Sequence, residues 1–188
     1  MIHFIIQWVL PLIIAVTIAA IVQQLILFPI LVTSLSMEPT LASGDRLLMA
    51  RIHGRFQVKR QDIIAFYSQE YKMVMVKRVI GLPCDLVTIQ NEGHVCINGE
   101  KLQEAYVHYS ISRSGSFTVP EHKFMLLGDN RNYSTDSRAW AEPFIDEKDI
   151  LGKAVFRVYP FRRMRCFGVG IRKNQSITPL HEEENNQG

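Results

Sequence analysis

The first 37 residues carry no Asp, Glu, Lys or Arg, and the first charged side chain is Glu38. Within that stretch Pro11 to Leu31 reads PLIIAVTIAAIVQQLILFPIL, with Gln23 and Gln24 as its strongly polar side chains. About 20 apolar residues are what a helix needs to cross the hydrocarbon core of a bilayer. A cleaved secretory leader would show a basic start and a shorter apolar run. A buried core helix of this length would carry some charge on one face. The sequence therefore predicts an uncleaved membrane span within residues 1–33, with Pro29 marking a kink or the helix end. Gln23 and Gln24 then sit near one interface or hydrogen-bond inside the bilayer. Charge does not decide the side. Arg46, Arg51 and Arg55 follow the span, yet long domains translocate largely regardless of such charges.

A chain of 188 residues has room for one ordinary domain besides such an anchor. With 47 % hydrophobic and 21 % charged residues it can bury a core, which excludes a disordered chain. The formal net charge of +3 is too small to imply nucleic acid, and no nucleic-acid partner is expected.

Beyond Met37 the apolar residues come in short runs. Asp45–Ala50, Ile63–Tyr67, Met73–Ile80, Leu86–Ile89, Val95–Ile97, Phe124–Leu127 and Ala154–Tyr159 have strand length and composition. Asn91-Glu92-Gly93 and Asn98-Gly99 read as turns. Ser110–Val119 reads as a polar loop. No long stretch after the anchor has helical periodicity. The expected class is mainly β, a folded or barrel-like set of sheets behind one N-terminal transmembrane helix. Residues 34–170 form the β-rich domain, and 171–188 form a polar tail ending in HEEENNQG.

Three cysteines with no C-x-x-C pair argue against a disulfide scaffold or a zinc ribbon. Pairing across the first hairpin sets Thr88 against Cys96 and leaves Cys84 well away, so all three thiols are expected unpaired. The six His residues are scattered without ligand spacing, so neither a metal nor a cofactor is expected.

Three segments could carry chemistry. Ser36 lies in Ser34-Leu35-Ser36-Met37-Glu38-Pro39-Thr40-Leu41, directly after the apolar run. A nucleophilic Ser needs a neighbouring base and an oxyanion donor; otherwise this is an ordinary polar exit from a membrane. Lys77 interrupts the strand MVMVKRVI, both of whose faces are otherwise apolar, so the strand should be well buried. Burial lowers a lysine pKa, and a neutral amine is a general base. The competing reading is a lysine that snorkels to an edge or pairs with an acid. Gly128–Arg138, GDNRNYSTDSR, is dense in turn-forming and hydrogen-bonding residues. On its own it is a loop held by Asx turns and an Asp–Arg pair.

Together the segments resemble the bacterial type I signal peptidases, the membrane-anchored serine–lysine leader peptidases of peptidase family S26. The matching boxes are S-M-x-P-T-L (Ser36–Leu41), V-K-R-V-I-G-L-P (Val76–Pro83) and G-D-N-R-x-x-S-x-D-S-R (Gly128–Arg138). The resemblance runs to about Pro160. It implies Ser36 as nucleophile and Lys77 as general base. It implies Ser134 as the hydroxyl that orients the lysine amine, and Ser34 as partner of the Ser36 N–H in the oxyanion hole. Asp129, Asn130, Asp136 and Arg138 would brace the loop, and Met37 and Val76 would line the pocket for the residue before the cut. It further implies signal-peptide-bearing preproteins as substrates, cut after small residues of an A-x-A site. The substrate would add as a strand beside the one bearing Lys77. The protein would sit in the bacterial cytoplasmic membrane with its lipid bilayer partner, N-terminus inside and catalytic domain outside.

Three positions depart from the family pattern. Gln61 and Cys84 stand where the family usually has Gly, and Trp140 is followed by Ala141 rather than Gly. Other readings of the same boxes are a specialised relative maturing a pilin-like or conjugation protein, and an inactive membrane-anchored binding protein of this fold. A self-cleaving Ser/Lys regulator fits less well, since it would normally be soluble and carry a DNA-binding segment. The motifs set neither the substrate range nor the oligomeric state.

Overall fold

A computed structural model of the chain describes residues 5–52, 58–90, 93–107 and 114–167. The charge-free segment divides into two kinds of structure. A π-helical turn, Ile5–Val9, leads into α1 (Leu10–Leu25). After Ile26 the backbone extends into β1 (Leu27–Leu31), which pairs antiparallel with β2 (Arg46–Arg51) from Leu27↔Ala50 to Leu31↔Arg46. The span expected over Pro11 to Leu31 is corrected accordingly: its last five residues belong to a sheet. The local reason is Pro29, which ends helical structure but is tolerated on an edge strand because it has no N–H to offer the ladder. At 16 residues α1 is about 24 Å long, short of the ~30 Å hydrocarbon core. Among the described residues no helix is long and apolar enough to cross a membrane. The π-helical turn and the helix nevertheless expose apolar side chains, among them Trp8, Leu12, Ile13, Ile14, Val16 and Ile18.

The remaining strands are β3 (Ile63–Ser68), β4 (Met73–Gly81), β5 (Leu86–Ile89), β6 (Val95–Ile97), β7 (Glu100–Lys101), β8 (Gly115–Thr118), β9 (Lys123–Leu127), β10 (Phe144–Asp146), β11 (Ile150–Tyr159) and β12 (Arg165–Cys166). They form two antiparallel sheets. The larger runs β1-β2-β11-β3-β4-β9-β10, with β12 added to β11; the smaller runs β7-β6-β5-β8. The mainly β architecture expected from the short apolar runs is present. The segment read as a polar loop is corrected in part, since Gly115–Thr118 pairs with β5. The register Thr88↔Cys96 is as expected, and Cys84, Cys96 and Cys166 are free thiols. Asn98 (φ 52°) and Gly99 (φ 87°) form the tight turn between β6 and β7. Asn91-Glu92 and the tail 171–188 lie outside the described residues.

Three apolar clusters hold the sheets. One, around Met37, Leu41, Leu47, Met49 and Ala65, lies under the turn that carries Ser36. A second, around Phe66, Val79, Leu126 and Trp140, backs the strands β3, β4 and β9. The third, around Ile80, Val87, Val95, Met125 and Leu127, joins the large sheet to the small one. The expectation that β4 is buried throughout is corrected. Met73 and Val74 are exposed, Met75 and Val76 half-buried, and burial is complete from Lys77 onward. The cause is pairing. β3 covers β4 along one side from Ser68↔Met73 to Ile63↔Arg78. On the other side β9 begins only at Arg78↔Leu127, leaving Met73–Lys77 as an open sheet edge.

Candidate active site

Ser36 and Lys77 are brought together from opposite sides of this edge. Ser36 lies on the turn after β1 and is 5 % exposed, and Lys77 is the last residue of β4 before β9 begins, 3 % exposed. Lys77 Nζ is 2.6 Å from Ser36 Oγ. A lysine this deep in apolar surroundings needs a reason to stay charged, and it is given little. Burial lowers its pKa from the ordinary value to about 8; the more distant Asp136 and Asp129 carboxylates pull it up and Arg138 pushes it down. Both carboxylates are already neutralised. Asp129 accepts from Arg78 Nε at 2.7 Å and Nη2 at 2.6 Å. Asp136 accepts from Arg138 Nε at 2.8 Å and Nη2 at 2.9 Å. Desolvation therefore prevails over attraction.

The loop Gly128–Arg138 is fixed by these two ion pairs and by what they leave over. Asp136 also accepts the Gly128 N–H at 2.9 Å, and Arg138 reaches the Arg131 carbonyl at 2.9 Å. Arg131 bonds the Gly128 carbonyl at 3.1 Å and pairs with Glu104. Asn130 ties the loop to the Ser36 turn, its N–H donating to the Ser36 carbonyl at 3.1 Å and its side chain to the Leu35 carbonyl at 3.2 Å. Gly128 is required by close approach. A Cβ there would lie 2.1 Å from Ser134 Oγ and 2.5 Å from the Ser36 carbonyl oxygen.

The other sequence-predicted residues fall as follows. Ser34 Oγ lies 3.2 Å from Ser36 Oγ, close enough to share a ligand. Ser134 Oγ is buried beside Gly128 and has no hydrogen-bond partner among the described residues, so no bond joins it to Lys77. Val76 lines a groove of about 740 Å³ that runs between β1 and the open edge of β4 and ends at Ser36 and Lys77. Met37 does not line it; at 1 % exposure it is part of the core beneath the turn.

Sequence reasoning missed the support beneath the Ser36 turn. Arg157, buried in β11, donates from Nη1 to the Thr40 carbonyl at 2.8 Å and to Asp45 Oδ2 at 2.9 Å. Asp45 also accepts the Ala42 N–H at 3.0 Å. The available signal was an arginine inside the apolar run AVFRVY, the same kind of interruption that marks Lys77. The departures Gln61 and Cys84 have φ of 69° and 68°, the left-handed region that favours glycine.

A model of the family described as "Signal peptidase, peptidase S26" matches residues 5–159. The chain belongs to that family. It is 36 % identical over 175 residues to "Signal peptidase I P" of Bacillus subtilis subsp. natto, covering 86 % of this chain and 92 % of that one. It is 36 % identical over 173 residues to "Signal peptidase I" of Bacillus licheniformis, covering 85 % and 91 %. "Signal peptidase IB" of Staphylococcus aureus strain COL is 32 % identical over 181 residues, covering 86 % and 93 %. A crystal structure of a signal peptidase I from Enterococcus faecalis V583 is 30 % identical, with a TM-score of 0.47, covering 53 % of this chain and 98 % of that one. As a member of the signal peptidase family the chain is a hydrolase, a serine peptidase that removes signal peptides.

Proposed function

We propose that Ser36 is the nucleophile and neutral Lys77 the general base in cleavage of exported preproteins after small residues of an A-x-A site. The observation that carries this reading is the 2.6 Å contact between Lys77 Nζ and Ser36 Oγ inside a buried site. An amine with a pKa near 8 takes the serine proton as Oγ attacks the scissile carbonyl, and then returns it to the leaving amine. Water then repeats the cycle in reverse at the acyl-enzyme, with Lys77 again taking a proton. Ser34, 3.2 Å from Ser36 Oγ, donates to the oxyanion with the Ser36 N–H. Ser134 receives the lysine amine once substrate shifts it; its buried, unpartnered hydroxyl supports this role. Asp129, Asn130, Asp136 and Arg138 hold the loop and do not react. Burial outweighs the upward pull of the two carboxylates on the lysine pKa, and Arg138 adds to the lowering.

The groove supports an extended substrate. Two sheet edges face it, β1 and the first half of β4, and an added strand would take up their free main-chain groups. Its apolar lining by Pro29, Leu31, Val74 and Val76 suits the segment before a signal-peptide cut. The exposed apolar faces of α1 and the preceding turn give the chain its anchor in the bacterial cytoplasmic membrane, with the catalytic domain on the outer side.

The test is cleavage in detergent of a preprotein with an A-x-A site by the wild-type chain, Ser36→Ala and Lys77→Ala. Cutting after the small residue by wild type alone, with both variants folded, is the expected result. A Lys77→Ala chain that keeps most of its activity would remove the base from the mechanism.

A further inference from the structure

At the end of the groove far from Ser36, an arginine has no counter-charge among the described residues. Arg51 ends β2 beside Ile26, whose carbonyl accepts its N–H at 2.8 Å. Its guanidinium lies over the Phe28 ring, 4.8 Å from the centroid. Arg51 Nε is buried with no hydrogen-bond partner. Arg60, Arg78, Arg131, Arg138, Arg157 and Arg163 each pair with a carboxylate. Among the described residues none pairs with Arg51, and residues 53–57 contain no Asp or Glu. Phe28, Arg51 and Met73 line the same end of the groove.

Two physical facts limit what suits this position. A guanidinium stacked on a ring keeps its in-plane N–H groups for an acceptor, and a buried donor without one is costly until a ligand supplies it. From Met73 to Lys77 β4 advances four residues, about 13 Å at ~3.3 Å per residue. A substrate strand reaching Ser36 would thus pass Arg51 roughly four or five residues before the cut. A signal peptide has an apolar segment of roughly 7–15 residues ahead of that stretch. In a bilayer that segment is helical. Its last carbonyls lack intrahelical partners and carry partial negative charge.

We infer that Arg51 is a specificity-determining residue that caps the C-terminal end of the substrate's apolar helix, and so measures the number of extended residues between that end and the cut. This rests on the function proposed above. The negative end of the helix and its orphan carbonyls meet the Arg51 guanidinium, and the extended residues fill the groove. Ser36 then acts at a fixed distance from the helix end rather than at any small residue within reach.

The experiment uses the full chain in detergent and a preprotein series. Each substrate has a leucine-rich apolar segment ended by a Gly-Pro helix stop, then three to seven residues before an A-x-A cut. A short peptide with the same cut and no apolar segment is the comparison. Wild type is expected to prefer one spacer length. Arg51→Met is expected to raise KM on that best substrate about tenfold, with kcat within about twofold, a loss several times larger than on the short peptide. It is also expected to flatten the length preference, and Arg51→Lys to restore part of it. Arg51→Gln repeats the test if Arg51→Met folds poorly. Equal losses on both substrates, or an unchanged length preference, would overturn the inference. So would weakened binding to anionic vesicles with the length preference intact, which would assign Arg51 to lipid phosphate. A wild-type chain that cuts neither substrate overturns the underlying reading itself, an outcome distinct from cutting without length preference.

Discussion

Keeping Lys77 buried costs the fold stability at neutral pH. Its native pKa, about 8, lies below the ordinary 10.5, so the unfolded chain binds the proton more tightly. The penalty is complete below about pH 8 and fades as pH rises toward 10.5, so stability increases with pH across that window. At pH 7 it is on the order of 3 kcal/mol. Lys77→Met, inactive, is therefore expected to melt about 5 °C or more above wild type at pH 7. The gap should shrink as the pH approaches 10; a difference independent of pH would assign the gain to packing instead. Cys84 argues the same way about backbone. It is exposed and holds a φ of 68°, a region that costs a non-glycine residue about 1 kcal/mol. Cys84→Gly is expected to raise the melting temperature by about 3 °C without changing kcat/KM. Gln61 shares that φ, but its side chain donates to the Gln103 carbonyl at 2.9 Å, so glycine there would gain less.

Among the elements, the loop Gly128–Arg138 and the strand β4 have to be set against one another, and buried ion pairs do this. Arg78 follows Lys77 on β4 and faces away from the groove, where it grips Asp129 from two nitrogens. Removing one member leaves the other charge buried and unpaired, which costs about 3–5 kcal/mol. Asp129→Asn is expected to lose stability of that size in a denaturant titration, and activity with it. A loss below about 1 kcal/mol would mean that the pair is as weak as a surface one. This pair was legible in part. The boxes named Asp129 and Arg138 as braces, and the local Asp136–Arg138 pair could be read from two-residue spacing. The Arg78–Asp129 and Arg157–Asp45 pairs could not, because they join residues far apart in sequence. Likewise the strand in Leu27–Leu31 was hidden within a longer apolar run. Periodicity does not tell a short apolar strand from the end of a helix, and only pairing with Arg46–Ala50 separates them. The strand β8 was obscured by its polar alternation, GSFT, which reads as loop until β5 is beside it.

At the scale of the whole molecule, two unlike parts meet at Ile26. The core clusters are built from residues after Ile26, and none of the described side chains of α1 belongs to them. Deleting residues 1–25 is thus expected to leave a folded domain that cuts a preprotein in detergent but no longer sediments with membranes. A truncated chain that fails to fold would show that α1 supports the sheet. If residues 1–25 anchor the chain as proposed, they raise the local concentration of membrane-held substrate rather than change the chemistry. That chemistry is most directly tested by the pH dependence of kcat/KM on an A-x-A preprotein. If neutral Lys77 activates Ser36, only about a tenth of the enzyme is competent at pH 7. The rate should then rise about tenfold per pH unit on the acid side and level off above about pH 8. A profile flat from pH 6 to 9, or one still rising steeply beyond pH 10, would contradict a buried, neutral lysine as the base.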